Sequence, residues 1–334
     1  MKTPKISIVT PSFNQGQFLE QTINSVLDQG YSNLEYFVID GGSTDNSVDV
    51  IRKYEKHLTW WTSEKDRGQS HAINKGLLRA TGEIFNWINS DDYYEPGALQ
   101  HVAEAFEDPN IHMACFRANV FGLQTRISRG TDIFENNLAK TIAYTRIDQP
   151  ETFFRKSAVD KMGLLNEGLH YCMDKEWLLR YLMLFGIHHV HQSKNIILNF
   201  RYHDTSKSVS QKDGFATESD MIYRALAEYF ELPEAKNIFS FLLKNESAKE
   251  IKFAWPFDKT ALADDLSEKS MNYYVYKRFR ETYELLDIKS AKFLAAYIKK
   301  DLLEMEDRII FDKLHDRAKF FPAILLKTFR KISR

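Results

Sequence analysis

This 334-residue chain has two cysteines, no apolar run long enough to cross a bilayer, and almost no net charge. Cys115 and Cys172 are too few for a disulfide framework and suit a reducing cytoplasm. The longest apolar stretch, Leu178 to Ile187, is interrupted by Arg180 and falls short of the roughly 18 residues a span requires. Met1 to Pro11 lacks the apolar centre of a signal peptide, so a cytoplasmic location is expected. A net charge of −1 gives no electrostatic case for a nucleic-acid partner. Internal repeats and low-complexity segments are also missing. At 43% hydrophobic and 27% charged residues, the composition is that of a folded soluble protein. The length allows one large domain, or one domain with an appendage.

Strands and helices alternate from the start. Ile6 to Thr10 reads as a strand stopped by Pro11, and Phe18, Leu19, Thr22, Ile23, Val26 and Leu27 recur at helical spacing. Leu34 to Ile39 is a second strand, followed by the polar turn Asp40 to Asp45 and a helix ending near Lys56. Leu58 to Thr62 is a short third strand, Gln69 to Arg79 a helix, and Glu83 to Ile88 a fourth strand. This βαβαβαβ order predicts an α/β fold with an open, mostly parallel sheet. Ligands in such sheets bind beyond the carboxyl ends of the strands, where Pro11 to Asn14, Asp40 to Asp45 and Ser90 to Asp92 all fall. After about residue 110 the pattern loosens. Tyr171 to Gly186 reads as a helix, Ile187 to Val190 and Lys194 to Arg201 as strands, and the chain from Gly214 as largely helical. The expected division is a core of residues 1–212, in halves 1–110 and 111–212, followed by a helical region of residues 213–334.

Ser90-Asp91-Asp92 carries the chemistry. Two adjacent carboxylates past the end of a buried strand raise each other's pKa. A divalent cation with an anionic ligand removes that cost, and hard oxygen ligands suit Mg²⁺ or Mn²⁺. Either acid could instead cap the helix after Pro96.

Five motifs then stand in register: Thr10-Pro11-Ser12-Phe13-Asn14, Asp40-Gly41-Gly42-Ser43-Thr44-Asp45, Asp66-Arg67-Gly68-Gln69-Ser70, Ala72-Ile73-Asn74-Lys75-Gly76 and Asn89-Ser90-Asp91-Asp92. In order and spacing they resemble family 2 glycosyltransferases over roughly residues 4 to 205. The resemblance implies the A-type glycosyltransferase fold, a nucleotide-sugar donor (a UDP-sugar above all), a divalent metal and inversion at the anomeric carbon. It places Pro11 and Asn14 at the base and ribose, Asp40 on the base, Arg67 and Asn74 near the nucleotide, Asp91 on the ribose and Asp92 on the metal. Arg201 to Ser206 matches a loop common in the family, which makes His203 the further metal ligand. Met173-Asp174-Lys175-Glu176-Trp177 resembles the family's Glu-Asp motif, with Asp174 as general base and Met173 in place of the first acid. Glu176 is its fallback, with Trp177 beside it. His71 stands where relatives carry an acid, on the substrate side, and Gln149-Pro150-Glu151 resembles a substrate-side loop.

Each motif has a plainer role open to it. Asp40 can order its own turn, Arg67 can form an exposed ion pair, and Asp174 can complement a helix N-terminus. His188, His189 and His191 invite a zinc reading, but only His189 and His191 would share a strand face. Residues 318–334 carry five basic and no acidic side chains among apolar ones, the pattern of a membrane-surface helix or of one packed on protein. The expected activity is sugar transfer to a glycan or lipid-linked acceptor of a bacterial-type surface polysaccharide, in the cytoplasm or at the inner face of the membrane. Two other readings compete: a sugar-phosphate nucleotidyltransferase, which would need a Gly-rich loop that Thr10 to Gly16 is not, and a non-catalytic nucleotide-sugar-binding domain of a larger synthase.

Overall fold

The computed structural model describes residues 3–123, 125–144, 146–204, 206–207, 212–243, 251–261 and 265–320. The chain divides into two compact units, one of residues 1–132, 146–218 and 250–256, the other of 133–145, 219–249 and 257–334.

The first unit opens with β1 (Ile6–Ser12), α1 (Gly16–Leu27), β2 (Leu34–Asp40), α2 (Ser47–Tyr54), β3 (Trp60–Ser63), α3 (Gln69–Leu77) and β4 (Ile84–Trp87). Strands β3, β2, β1 and β4 are parallel neighbours in that order, as the alternation predicts. Every residue of β1 is buried, which fits a central strand covered by helices on both faces. Ile6, Ile8, Leu19, Ile23, Val38, Val50 and Ile84 fill one side. On the other, α3 lies against β1 so closely that a Cβ at Gly76 would come within 2.5 Å of Val9. Glycine at this motif position is therefore a packing requirement.

One strand end differs from expectation, because β1 continues through Pro11 to Ser12, with Pro11 opposite Ile39. Ser12 accepts from Gly41 on the β2 side and Val9 from Ile88 on the β4 side. Pro11 therefore faces the side where β4 has already ended, and its missing N–H leaves no gap in the ladder.

The chain continues through β5 (Tyr93–Tyr94), α4 (Ala98–Ala105), β6 (Met113–Gly122) and β7 (Thr125–Gly130), then, after α5 (Leu138–Tyr144), through β8 (Thr152–Arg155), α6 (Lys156–Met162), α7 (Met173–Phe185) and β9 (Val190–Arg201). These extend the sheet in the order β4-β8-β6-β9-β5, with β7 paired to β6. β8 is antiparallel to both β4 and β6, while β6 and β9 are parallel. The two strands expected between Ile187 and Arg201 are one continuous strand, supported along β6 despite register shifts near Arg117.

The second unit contains α5 (Leu138–Tyr144), most of α8 (Lys212–Tyr229), α9 (Ala235–Leu242), α10 (Leu266–Glu284), α11 (Ile288–Ala295) and α12 (Met305–Phe320). Tyr223 and Tyr274 stack at 3.6 Å, and the Tyr274 hydroxyl donates to Asp220 at 2.6 Å. No helix among the described residues is long and apolar enough to cross a membrane. Of the basic tail, residues 321–334 lie outside the described residues.

Candidate active site

The polar turns that follow β1, β2 and β4 meet at the carboxyl edge of the sheet. The turn after β4 is held from below by Thr22 of α1. Its hydroxyl lies 2.9 Å from the Ser90 carbonyl and 2.7 Å from that of Asp92, and one proton serves both. This anchorage turns the two acids in different directions. Asp92 points inward and is buried; its Oδ1 accepts from the Arg201 N–H at 2.9 Å and its Oδ2 from Asn89 Nδ2 at 3.2 Å. Burial, then the neighbouring Asp91 charge, push the Asp92 carboxyl well above the usual range. Asp91 points outward, and its Oδ2 lies 2.9 Å from His203 Nε2.

Asp92 and His203 are the expected metal ligands; here Asp91 is the acid that meets His203, and Asp92 braces the turn against β9. The His203 ring lies 4.9 Å from that of Phe18. Arg201 donates to the Asp91 carbonyl at 3.0 Å and to Gln21 at 2.6 Å. An oxygen and a nitrogen 2.9 Å apart fit adjacent positions around one small divalent cation, whose ligands stand about 2.1 Å from the ion. Mg²⁺ and Mn²⁺ accept such a mixed pair when other oxygens complete the shell. Groups of three or more candidate metal ligands are absent among the described residues.

The turn after β2 is self-contained. Asp40 is buried and takes the N–H groups of Gly42 and Ser43 at 3.1 and 2.9 Å, with the hydroxyls of Ser43 and Ser63. Four donors fill the acceptor sites of a carboxylate, so Asp40 orders its own loop. Asn14 lies over that loop with φ +52°; its Oδ1 accepts from Thr44 N–H at 2.9 Å. Asp66 leans against the same turn, its Oδ2 2.8 Å from where a Cβ on Gly41 would stand.

Several expected substrate residues are engaged by protein groups. Asn74 is buried, its amide bonded to both backbone groups of Leu165 at 2.9 and 3.0 Å. Arg67 is engaged by Glu167, with Nε donating at 2.9 Å, and its own N–H donates to His71 Nδ1 at 3.3 Å. Gln149 is buried and donates to Asn86 Oδ1 and the Trp87 carbonyl. Glu176 is completely buried, and Arg180 meets both its oxygens at 2.8 Å. Trp177 is core; its Nε1 donates to the Gly163 carbonyl, and Phe85, Trp87 and Phe154 surround its ring. Residues three or four apart on a helix share a face, so Arg180 turns inward with both Trp177 and Glu176.

Asp174, in the first turn of α7, is only half-buried at its surface and accepts from the Lys175 N–H at 2.7 Å. Protein packed around the carboxyl raises its pKa to about 6, against the lowering by Lys175. Lys207, which the sequence reading did not single out, donates to the His170 carbonyl at 3.2 Å and to Gln69 Oε1 at 3.3 Å. Loss of water around its ammonium lowers its pKa, against the pull of Glu218 and Asp174. Gln69 in turn donates to Asn89, and Asn89 to Asp92. A hydrogen-bonded path thus runs from the loop before Asp174 to the paired acids. Gln69 and Asn89 were legible as motif members, whereas Lys207 had no motif signal.

A parallel sheet with acidic turns at its carboxyl edge, extended by antiparallel strands and flanked by helices, defines the class of α/β protein that binds its ligand beyond the strand ends. The family model described as Glycosyl transferase family 2 matches residues 7–181, and the chain belongs to that family. Its architecture is the A-type glycosyltransferase fold. Over 106 residues it is 35% identical to the putative teichuronic acid biosynthesis glycosyltransferase TuaG of Bacillus subtilis, covering 30% of this chain and 41% of TuaG. Over 184 residues it is 30% identical to an uncharacterized glycosyltransferase of Mycobacterium tuberculosis, covering 53% of this chain and 68% of that one. A Nostoc relative, an uncharacterized glycosyltransferase, is 36% identical over 110 residues, 34% of its length. The chain thus spans well under half of two of these relatives. Among solved structures, S. aureus TarS 1-349 with UDP superposes with a TM-score of 0.58 at 13% identity, covering 94% of this chain and 91% of that one. The mannosyltransferase PcManGT of Pyrobaculum calidifontis, with GDP-Man and Mn²⁺, gives 0.50 at 15% identity, covering 98% and 84%.

Proposed function

We propose that this chain is an inverting, metal-dependent glycosyltransferase that moves a sugar from a nucleotide-sugar, a UDP-sugar by preference, to a hydroxyl of a glycan or lipid-linked acceptor in surface-polysaccharide synthesis. The observation that carries the reading is the Asp91–His203 pair, 2.9 Å apart on the carboxyl edge of a family 2 sheet. TuaG, by its name, acts in teichuronic acid biosynthesis, and TarS and PcManGT are solved with UDP or GDP-Man; these support a nucleotide-sugar donor and a cell-wall acceptor.

In this mechanism Asp91 and His203 would hold a divalent cation, which would supply positive charge for the departing nucleoside diphosphate. The loops carrying Asn14, Asp40 and Asp66 form the floor on which the nucleotide lies. Asp174 takes the proton of the acceptor hydroxyl as its oxygen attacks the anomeric carbon. The bond from that carbon to the phosphate oxygen breaks on the opposite face, its electron pair leaving with the diphosphate, so configuration inverts. A carboxylate with a pKa of about 6 suits this work, because it is ionised near neutrality yet more basic than an exposed aspartate.

The test is nucleotide release from a panel of UDP- and GDP-sugars, with Mn²⁺, with Mg²⁺ and with a chelator. Chelator-sensitive turnover of one donor is expected. Chelator-resistant turnover would remove the metal from the mechanism, and silence across the panel would favour a binding role.

A further inference from the structure

The loop that delivers Asp174 is held from α8, about 40 residues further along the chain. Its three successive backbone N–H groups all end on one carboxylate. Glu218 Oε1 accepts from His170 at 2.7 Å, and Oε2 accepts from Tyr171 at 2.7 Å and from Cys172 at 2.9 Å. Cys172 is the N-cap of α7, and its own side chain makes no capping hydrogen bond. The N–H groups at and before a helix start have no partner within the helix, and donors to a carboxylate make short, strong bonds.

The rest of the first turns of α8 close over the same loop. A Cβ on Gly214 would fall 2.5 Å from the Tyr171 ring, so only glycine permits this approach. The Tyr171 and Phe215 rings lie 5.3 Å apart, and Cys172 Sγ lies 3.4 Å from the Phe215 carbonyl. Lys207 holds the loop at the His170 carbonyl and ties it, through Gln69 and Asn89, to the turn of the paired acids.

We propose that Glu218 is a positioning residue for Asp174, fixing the 170–172 loop so that the Asp174 carboxylate meets the acceptor hydroxyl at a set distance from the Asp91–His203 pair. The proposal rests on the reading of Asp174 as general base. It assigns the start of α8 a part in the reaction, through the backbone of the 170–172 loop.

The experiment uses the full chain and whichever of UDP-glucose, UDP-galactose, UDP-GlcNAc and GDP-mannose the wild type turns over best. Glu218→Gln keeps the shape but turns an amide NH₂ toward one of the three N–H donors, which frees part of the loop. The turnover rate should fall roughly 10- to 100-fold, the scale of a misplaced catalytic group. Affinity for the nucleoside diphosphate with Mn²⁺ should stay within about twofold, because uniform binding is untouched. The acid limb of the rate–pH profile should move to lower pH. Loosening admits water to Asp174, and losing the Glu218 charge acts in the same direction, while Lys175, Asp148 and Lys207 stay in place around it.

Unchanged turnover with an unmoved limb would overturn the proposal, as would equal losses of turnover and nucleotide affinity. Gly214→Ala, which keeps Glu218 but displaces Tyr171, should give the same split and decides the matter if Glu218→Gln fails to fold. Asp174→Asn separates the two readings: normal turnover there refutes the base itself, whereas an inactive Asp174→Asn beside a wild-type-like Glu218→Gln refutes only the positioning.

Discussion

Asp91 Oδ2 and His203 Nε2 stand 2.9 Å apart although 112 positions separate them in the chain. Both come from the ends of sheet strands, β4 and β9, that are not neighbours in the sheet. The contact is enforced by Asp92, whose buried carboxylate ties the β4 turn to the backbone of Arg201. One acid of the pair therefore builds the site that the other occupies.

That division of labour predicts opposite phenotypes for adjacent residues. Asp91→Ala should abolish Mn²⁺-stimulated turnover and Mn²⁺ binding, with little change in melting temperature. Asp92→Asn should retain Mn²⁺ binding but lose stability. Its amide turns a donor toward either Asn89 Nδ2 or the Arg201 N–H, and an unmet buried polar group costs about 1–3 kcal/mol. Calorimetric titration of Mn²⁺ and thermal melts on both variants check this. Lost metal binding in Asp92→Asn with an intact fold would return the ligand role to Asp92.

The parallel half of the sheet was legible because its strands, helices and turns each obey local rules, and four of the five motifs fall on its carboxyl edge. What sequence could not show was direction. Asp91 and Asp92 are chemically identical neighbours, and contacts from distant segments, Thr22 beneath the turn and the Arg201 N–H beside it, decide which of them turns inward. Glu176 and Trp177 looked like site residues by proximity to Asp174, but helical geometry carries them into the core beside Arg180. Asn74 and Gln149 are motif polar groups that serve backbone satisfaction, which buried amides do as readily as ligand binding. Lys207 and Glu218 left no local signal, since their partners come from distant segments.

Glu35 predicts a pH dependence of stability. Burial raises its pKa, but hydrogen bonds from Ser7, Thr81 and Lys5 outweigh that and lower it from 4.5 to about 2. Ser7 Oγ lies 2.7 Å and the Thr81 N–H nitrogen 2.8 Å from Oε2. The folded value lies below the unfolded one, so this stabilisation is complete above about pH 4.5 and is lost as pH falls toward 2. Glu35→Gln should destabilise at pH 7 on the order of 1–3 kcal/mol, the cost of weakening bonds to a charged group. The gap from wild type should narrow in urea melts repeated at pH 4 and 3. A gap that stays constant with pH would remove the charge from the explanation.

The tail makes a separate prediction. Residues 318–334 carry Lys319, Lys327, Arg330, Lys331 and Arg334 without an acid, and α12 leaves Met305, Ile309 and Phe320 exposed. We propose peripheral membrane contact through this end of the chain. Deleting residues 321–334 should weaken sedimentation with vesicles of phosphatidylglycerol, in a salt-sensitive way, and spare turnover of a soluble donor. Equal sedimentation of both chains would assign the tail to protein packing.

Asp174→Asn tests the chemistry most directly. If Asp174 takes the acceptor proton, the amide cannot, and turnover should fall on the order of 10²-fold or more. Affinity for the nucleoside diphosphate should hold, since no donor contact is assigned to Asp174 and a group used only in the transition state leaves ground-state binding alone. In the wild type the base works only when ionised, so turnover should rise with pH through a limb near 6 and flatten above it. Asp174→Asn should lack that limb, because the group that titrates has gone. A capping role gives the reverse: Asn caps a helix nearly as well as Asp, so turnover would stay close to wild type and the limb would persist. Rate–pH profiles of the two proteins, with nucleotide affinity measured on the same preparations, separate the cases, and a surviving limb would move the base to another acid.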